Sequence, residues 1–250
     1  MIKVHVLFTK EELIKEQLQE GNKTAVVIDV LLATTTITTA LMDGAKAVLP
    51  VLNGEEGKKL AAAFQKEDVV LAGEMHAEPI EGFVYPSPSH LRTKVNGKTL
   101  ILSTTNGTVA LRNAAGAKRV YIACLLNNKA VAQAVLHNGN TQTILIVCAG
   151  NSGEVSLEDL YGAGHFIDCL TEETTADDIE LTDSSQAVRQ LYRGHSEEAH
   201  MILSISKVGR LFARYDVLEE LEYASRKNST PLVPIFRESQ IKVSNEREDL

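Results

Sequence analysis

The sequence has no tryptophan and only six tyrosines and six phenylalanines, so aromatic rings do not dominate its interior. Alanine, valine, leucine and threonine must fill the core instead, which suits β-branched strands under helices of small residues. A basic excess is also missing. Against 33 Asp and Glu stand 25 Lys and Arg, a net charge of −8. That balance excludes nucleic acid as the main partner, because phosphate backbones are held by clustered cations. A small anion held in one local basic pocket stays compatible with it. Much of the negative charge is local, at Glu172, Glu173, Asp177, Asp178 and Glu180 and again from Glu246 to Asp249, and reads as a solvated loop and tail.

No apolar run approaches the roughly eighteen residues of a membrane-crossing helix. Met1 to Phe8 alternates like a strand and carries neither the basic nor the apolar region of a signal peptide. Cys124, Cys148 and Cys169 include no Cys-x-x-Cys pair, which points to buried free thiols in a reducing compartment. Nothing near Cys148 supplies a base for a catalytic thiol. A cytoplasmic protein without a membrane partner is expected.

What is present is a rhythm. Ile2 to Phe8, Ala25 to Leu31, Ala47 to Leu52, Val69 to Ala72, Thr99 to Leu102, Val120 to Leu125 and Ile144 to Val147 read as strands. Between them Glu11 to Glu20, Thr36 to Met42, Glu55 to Gln65, Val109 to Ala114, Lys129 to Leu136 and Leu157 to Cys169 read as helices, with Gly44 and Gly139 as C-caps. Such alternation predicts a three-layer α/β/α sandwich with a largely parallel or mixed sheet. We read residues 1–250 as one α/β domain: an alternating core over 1–170, then a helical C-terminal region over 171–250. That region holds helices at Gln186 to Tyr192, Glu197 to Leu203, Val208 to Tyr215 and Val217 to Ser225. A late strand follows at Leu232 to Phe236, and a further one at Ile241 to Val243. Pro79 to Gly97 breaks the rhythm as a long excursion of the kind that serves as a lid.

Ligands of open α/β sheets gather beyond the carboxyl ends of strands, and polar text marks several such ends. Asp29 closes an apolar run, where a carboxylate must be paired, hydrogen-bonded or metal-bound. Thr34, Thr35 and Thr36 then open a helix, either as simple caps or as the donors of an anion pocket. Ser103-Thr104-Thr105-Asn106-Gly107-Thr108 offers hydroxyls, a carboxamide and a glycine, a phosphate cradle unless Asn-Gly marks a hairpin. Cys148-Ala149-Gly150 leads to Ser156-Leu157-Glu158-Asp159, where Ser156 and Asp159 have capping-box spacing. Gly162 and Gly164 suggest close helix packing. Glu74 ends another strand. Asp29, Glu74 and Glu158 or Asp159 together would suit Mg²⁺, which takes few carboxylates and keeps several waters. His76, His90, His165, His195 and His200 show no ligand spacing and read as surface or core residues.

In this joint pattern the chain resembles the 2-phosphosulfolactate phosphatase family. The likeness runs through Ile28 to Ile37, Gly73-Glu74, Ser103 to Thr108, Cys148 to Gly150, Gly153, Ser156 to Asp159 and Ala163-Gly164, and more weakly through Ser206 to Arg210 and Val233-Pro234. It implies an α/β fold, Mg²⁺ dependence and release of phosphate from 2-phospho-3-sulfolactate, a small phosphorylated anionic substrate. It makes Asp29, Thr35 and Thr36 the catalytic candidates, with Asp29 open as metal ligand, nucleophile or base. Thr34, Thr104, Thr105, Asn106, Gly107, Gly150 and Arg210 become substrate-binding candidates, and Asp29, Glu74, Glu158 and Asp159 the metal candidates. Leu32, Met75 and Val208 stand where the family pattern carries polar or basic groups. The alternative reading is therefore a diverged member, non-catalytic or of altered specificity, that binds a less charged small molecule. A homo-oligomer is compatible with the sequence but not required by it.

Overall fold

The apolar runs pair into one mixed sheet in the computed structural model, which describes residues 1–137, 141–175, 177–214 and 218–244. The strands are β1 Ile2–Leu7, β2 Lys23–Ile28, β3 Ala47–Val51, β4 Val69–Met75, β5 Glu78–Pro79, β6 Thr99–Ser103, β7 Arg119–Ala123, β8 Thr143–Cys148, β9 Ile179–Leu181, β10 Pro234–Arg237 and β11 Gln240–Val243. Their order across the sheet is β5-β4-β6-β3-β11-β10-β7-β2-β8-β1-β9. Two blocks are parallel within themselves: β7-β2-β8-β1-β9, and β3-β6-β4. The C-terminal hairpin β10–β11 lies between them and is antiparallel to both neighbours. Three antiparallel pairings in succession reverse direction three times, so the two blocks run in opposite senses.

The helices are α1 Lys15–Leu18, α2 Ala33–Met42, α3 Gly54–Ala61, α4 Pro88–Leu91, α5 Gly107–Ala114, α6 Asn128–His137, α7 Leu157–Glu172, α8 Asp183–Gly194, α9 Ala199–Ile205, α10 Lys207–Arg214 and α11 Leu218–Ala224. Successive side chains of a strand point to opposite faces, and here both faces are covered. Val26 and Ile28 of β2 join the core that contains Val131 of α6, Phe166 of α7 and Val188 of α8. Ala25 and Val27 join a second core with Ile37 and Ala40 of α2 and Ala110 and Leu111 of α5. Burial on both faces is why β2 reads as an unbroken apolar run. The expected α/β sandwich is what forms.

Helices α2 and α5 position the site. The first packs against β7 and β3 and the second against β2 and β3, so together they tie the two opposed blocks to each other. Gly162 and Gly164 serve close packing, as expected. A Cβ on the first would lie 2.7 Å from Val30, and one on the second 2.2 Å from the Val188 carbonyl.

Several boundaries differ from expectation. Glu11 to Glu20 is not one helix but a 3-10 turn at Lys10–Glu12 followed by the single turn of α1. Of that stretch only Leu13 and Leu18 are buried, which is no apolar stripe for a continuous helix. Strand β2 ends at Ile28, so Asp29 to Leu32 form a turn, and α2 begins at Ala33 rather than Thr36. Asp43 is the C-cap of α2, and Gly44, with φ of +90°, stands one residue beyond it, where a left-handed glycine ends a helix. The excursion from Pro79 is partly ordered by α4 and by a bridge from Val84 to Ala72. Gly139, Tyr215, Val217 and the acidic tail lie outside the described residues. No helix among the described residues is long and apolar enough to cross a membrane.

Candidate active site

Asp29 follows β2 directly and is only 6% exposed. The turn beneath it is tied by hydroxyls. Thr34 Oγ1 donates to the Asp29 carbonyl at 2.7 Å and accepts from the Asp29 amide at 3.0 Å. Thr35 donates to the Val30 carbonyl at 2.8 Å, and Thr36 to the Pro86 carbonyl at 2.7 Å. All three threonines are fully buried, and none lines the cavity above. The hydroxyls of Thr34, expected to bind substrate, and of Thr35 and Thr36, expected to be catalytic, are thus engaged with backbone carbonyls beneath the cavity. Nor do they cap α2, whose N-cap is Leu32 without a side-chain bond.

The capping box at α7 is not made either. Ser156 occupies the N-cap with no side-chain cap bond, and Asp159 turns away from it. One Asp159 oxygen accepts from the Val30 amide at 2.8 Å, the other from the Gly150 amide at 3.1 Å. Two buried amides would otherwise lack partners, a cost of about 1–3 kcal/mol each, which outweighs a cap. Gly150 itself has φ of +66°, and a Cβ there would sit 2.8 Å from the Glu154 carbonyl, so it shapes the turn rather than lining the cavity.

Above Asp29 opens a cavity of about 480 Å³. Thr104, Thr105 and Asn106 line it, at a strand-to-helix turn and not a hairpin. Glu74 fastens this turn to the end of β4. Its Oε1 accepts from the Thr105 amide at 2.6 Å, and its Oε2 from the Thr105 hydroxyl at 2.9 Å and the Ala77 amide at 2.7 Å. Thr104 and Thr108 exchange hydrogen bonds, Thr104 Oγ1 accepting the Thr108 amide at 3.1 Å. Gly107 opens α5 against Asp29: a Cβ would stand 2.4 Å from the carboxylate Oδ2. A further wall is α10, which contributes Lys207, Arg210 and Arg214. Their spacing of three and then four residues places them along one stripe of that helix.

The electrostatics set Asp29 apart. Burial pushes its carboxyl up to about 7, the Ala33 amide opposes this, Glu158 and Glu74 add repulsion, and Lys10 pulls the other way. Glu158 is raised by burial, against which the Ser156 and Ser206 hydroxyls and Arg210 act. Asp159 is held well above its usual range by burial and by its two acidic neighbours, despite its two amides.

Comparison with known proteins bears on this arrangement. A model of the 2-phosphosulpholactate phosphatase family matches residues 7–239, a span that contains the Asp29 turn and the whole of α10. The chain belongs to the 2-phosphosulfolactate phosphatase family. It is 34% identical over 242 residues to a probable 2-phosphosulfolactate phosphatase of Clostridium acetobutylicum, covering 96% of this chain and 100% of the relative. A protein of the same description from Caldanaerobacter subterraneus subsp. tengcongensis is 37% identical over 226 residues, 90% of this chain and 92% of its own length. One from Clostridium perfringens is 37% identical over 245 residues, 96% of each chain. The family is one of phosphoric monoester hydrolases, whose substrates are small and phosphorylated.

Within this phosphatase fold the sequence candidates separate. Asp29, Glu74, Thr104, Thr105, Asn106 and Arg210 line the cavity, and Gly107 abuts Asp29. Glu158 and Asp159 lie buried behind it. Among the described residues no three of His, Cys, Asp or Glu gather closely enough to hold a metal, so the four acids are not one ligand set. Leu32 and Val208 are cavity residues, whereas Met75 is an exposed side chain that does not line it.

Sequence reasoning missed Lys10, His76, Tyr85, Asn151, Ser152, Lys207 and Arg214. Of these, His76 reaches the cavity through a backbone φ of +53°, which no local motif announces. His165 is a core residue as expected, 3% exposed, with burial lowering its pKa to about 3. The three cysteines are buried and free, and burial raises the Cys148 thiol well above its usual value, which suits an inert packing residue.

Proposed function

We propose that this chain is a Mg²⁺-dependent phosphatase that hydrolyses 2-phosphosulfolactate, or a closely related phosphorylated hydroxy acid, and releases inorganic phosphate. One observation carries the reading: a buried carboxylate repelled by two other acids opens onto a cavity whose α10 wall holds three cations. A substrate bearing several anionic groups matches such a wall, since charge-assisted hydrogen bonds from guanidinium groups are strong and geometrically selective. Asn106 adds a neutral donor to the same anion.

The donor chemistry fits Mg²⁺, which is held by one or two carboxylates and keeps its waters. Asp29 would hold it, with Glu74 and Glu158 supplying negative field. When bound it neutralises phosphoryl oxygens. Asp29 fixes the site by its place between the Ala33 amide and Gly107, while Arg210 and its neighbours on α10 orient the substrate.

The test is phosphate release by the purified protein from a panel of 2-phospho-hydroxy acids, with Mg²⁺ and with EDTA. Turnover is expected to be highest on 2-phosphosulfolactate, lost in EDTA and restored by Mg²⁺. No turnover above background across the panel would remove the reading. The second reading, a member that binds a less charged molecule, draws on Leu32 and Val208 in the wall. It predicts ligand binding without phosphate release, and the three cations on α10 weigh against it.

The acid limb of the rate profile checks the role of Asp29. A carboxylate that must be ionised to act, with a pKa near 7, loses activity as pH falls through that value. A cation favours the ionised form, so the limb is expected to move to lower pH as Mg²⁺ concentration rises. Stability follows the opposite sense. Asp29 keeps its proton in the folded state up to about 7 but loses it near 3.8 when unfolded. Its contribution to stability without metal is thus lost progressively as pH rises between those values, and is constant above them. A limb that ignores Mg²⁺ would separate Asp29 from the metal.

A further inference from the structure

Lys10 is a lysine with almost no exposed surface, 6%, in the 3-10 turn after β1. Its Nζ reaches across the fold to Asn106 Oδ1 at 2.9 Å, while also pairing with Glu11 at 2.7 Å and approaching the Ala149 carbonyl at 3.5 Å. The same Asn106 oxygen accepts the Ser152 amide at 3.0 Å. An ammonium and a backbone amide can only donate, so the atom between them must be the carboxamide oxygen. The amide is locked against flipping, and its Nδ2 is turned the other way.

Asn106 is also the N-cap of α5, a position where an asparagine normally uses its oxygen on the helix amides. Here it makes no such bond, and the Thr104 hydroxyl accepts the Thr108 amide instead. No hydrogen bond among the described residues engages Asn106 Nδ2, and the residue lines the cavity above Asp29. A side chain relieved of capping, clamped on one side by two donors and open on the other, is arranged to present its remaining hydrogens.

We propose, resting on the phosphatase reading of this cavity, that Lys10 is a positioning residue. With the Ser152 amide it fixes Asn106 so that Nδ2 donates to an anionic oxygen of the substrate. Lys10 does not touch substrate; its charge is spent on the carboxamide. The neutral donor so formed complements the cations of α10 without adding a further charge beside Asp29.

Asn106→Asp separates this role from a structural one. It preserves oxygens for Lys10 and Ser152, so the melting temperature should hold, but it deletes the donor and adds a charge. Asn106→Ala, which deletes the donor alone, is therefore measured beside it and should lose kcat/KM to a similar extent. A loss of about a hundredfold in kcat/KM is expected, as for other preorganised donors to an oxyanion, with a parallel loss of affinity for inorganic phosphate by calorimetry. Lys10→Met should lower kcat/KM about tenfold and Lys10→Arg less, and Lys10→Met combined with Asn106→Ala should be no worse than Asn106→Ala alone. Losses that multiply, or Asn106→Asp with the parent's kcat/KM, would overturn the proposal. If the parent binds phosphate without hydrolysing any ester, the reaction reading falls by itself. The same variants are then compared on phosphate affinity, where an unchanged Kd in Asn106→Asp overturns the positioning role.

Discussion

Asp29→Asn is expected to reduce phosphate release by about a thousandfold or more while leaving the melting temperature unchanged or higher. The two halves of that result have one cause. In the folded chain the carboxylate is desolvated and faces Glu158 and Glu74, which is why its pKa is pushed to about 7. At pH 8 it must be ionised against those influences, so the native state carries an unfavourable charge. Asparagine has the same shape, can accept the Ala33 amide and removes the repulsion. A residue kept for folding would lose stability on this change. One kept for chemistry loses activity and relieves the fold, the usual trade at active sites. Matched thermal unfolding and initial-rate measurements decide the matter. Activity within tenfold of the parent would take Asp29 out of the reaction.

The second large effect is expected from Gly107→Ala, a change of one methyl group. The new Cβ would lie 2.4 Å from Asp29 Oδ2 and 2.3 Å from the Ala33 Cβ, closer than atoms can approach. Either α5 retreats or the carboxylate swings away. Overpacking of this kind costs about 1–3 kcal/mol in stability, and a displacement of about 1 Å at a reacting group costs about a hundredfold in rate. Both losses should appear together, a lower melting temperature and a lower kcat/KM. Unchanged values for both would mean that the helix start yields freely and that its glycine does not shape the site.

How far the sequence reveals this arrangement depends on how local each determinant is. The strands of the two parallel blocks were legible because burial on both faces leaves continuous β-branched runs such as Ala25 to Ile28. Asp29 was legible as a carboxylate stranded at the end of one. Glu74, Thr105 and Asn106 stood out as polar text at strand ends. The partners of the α2 threonines are not legible, because each is set by backbone five residues away for Thr34 and Thr35 and fifty away for Thr36 and Pro86. The apparent capping box at Ser156 and Asp159 lost to the buried amides of Val30 and Gly150, a competition that only the packed fold creates. Lys10 gave no signal at all. Its partner Asn106 is ninety-six residues away in sequence, and the turn around Lys10 looks like an ordinary charged helix start. The cations of α10 were only partly visible, through Arg210, since Lys207 and Arg214 flank it on a stripe that matters only once the helix roofs the cavity.

The position of the C-terminal hairpin has a consequence for how the molecule is made. Strands β10 and β11 follow every other described strand in sequence, yet they occupy the middle of the sheet. Until residue 243 is available, β7 and β3 each present a bare edge of unpaired amides and carbonyls, of the kind that invites pairing with other chains. The two blocks can each assemble as they emerge, but their mutual placement awaits a closure spanning nearly the whole chain. Because α2 and α5 straddle that seam, the meeting of Asp29 and Gly107 depends on how the two blocks are placed. A chain without this hairpin is thus expected to hold two half-sheets whose shared pocket is not yet set.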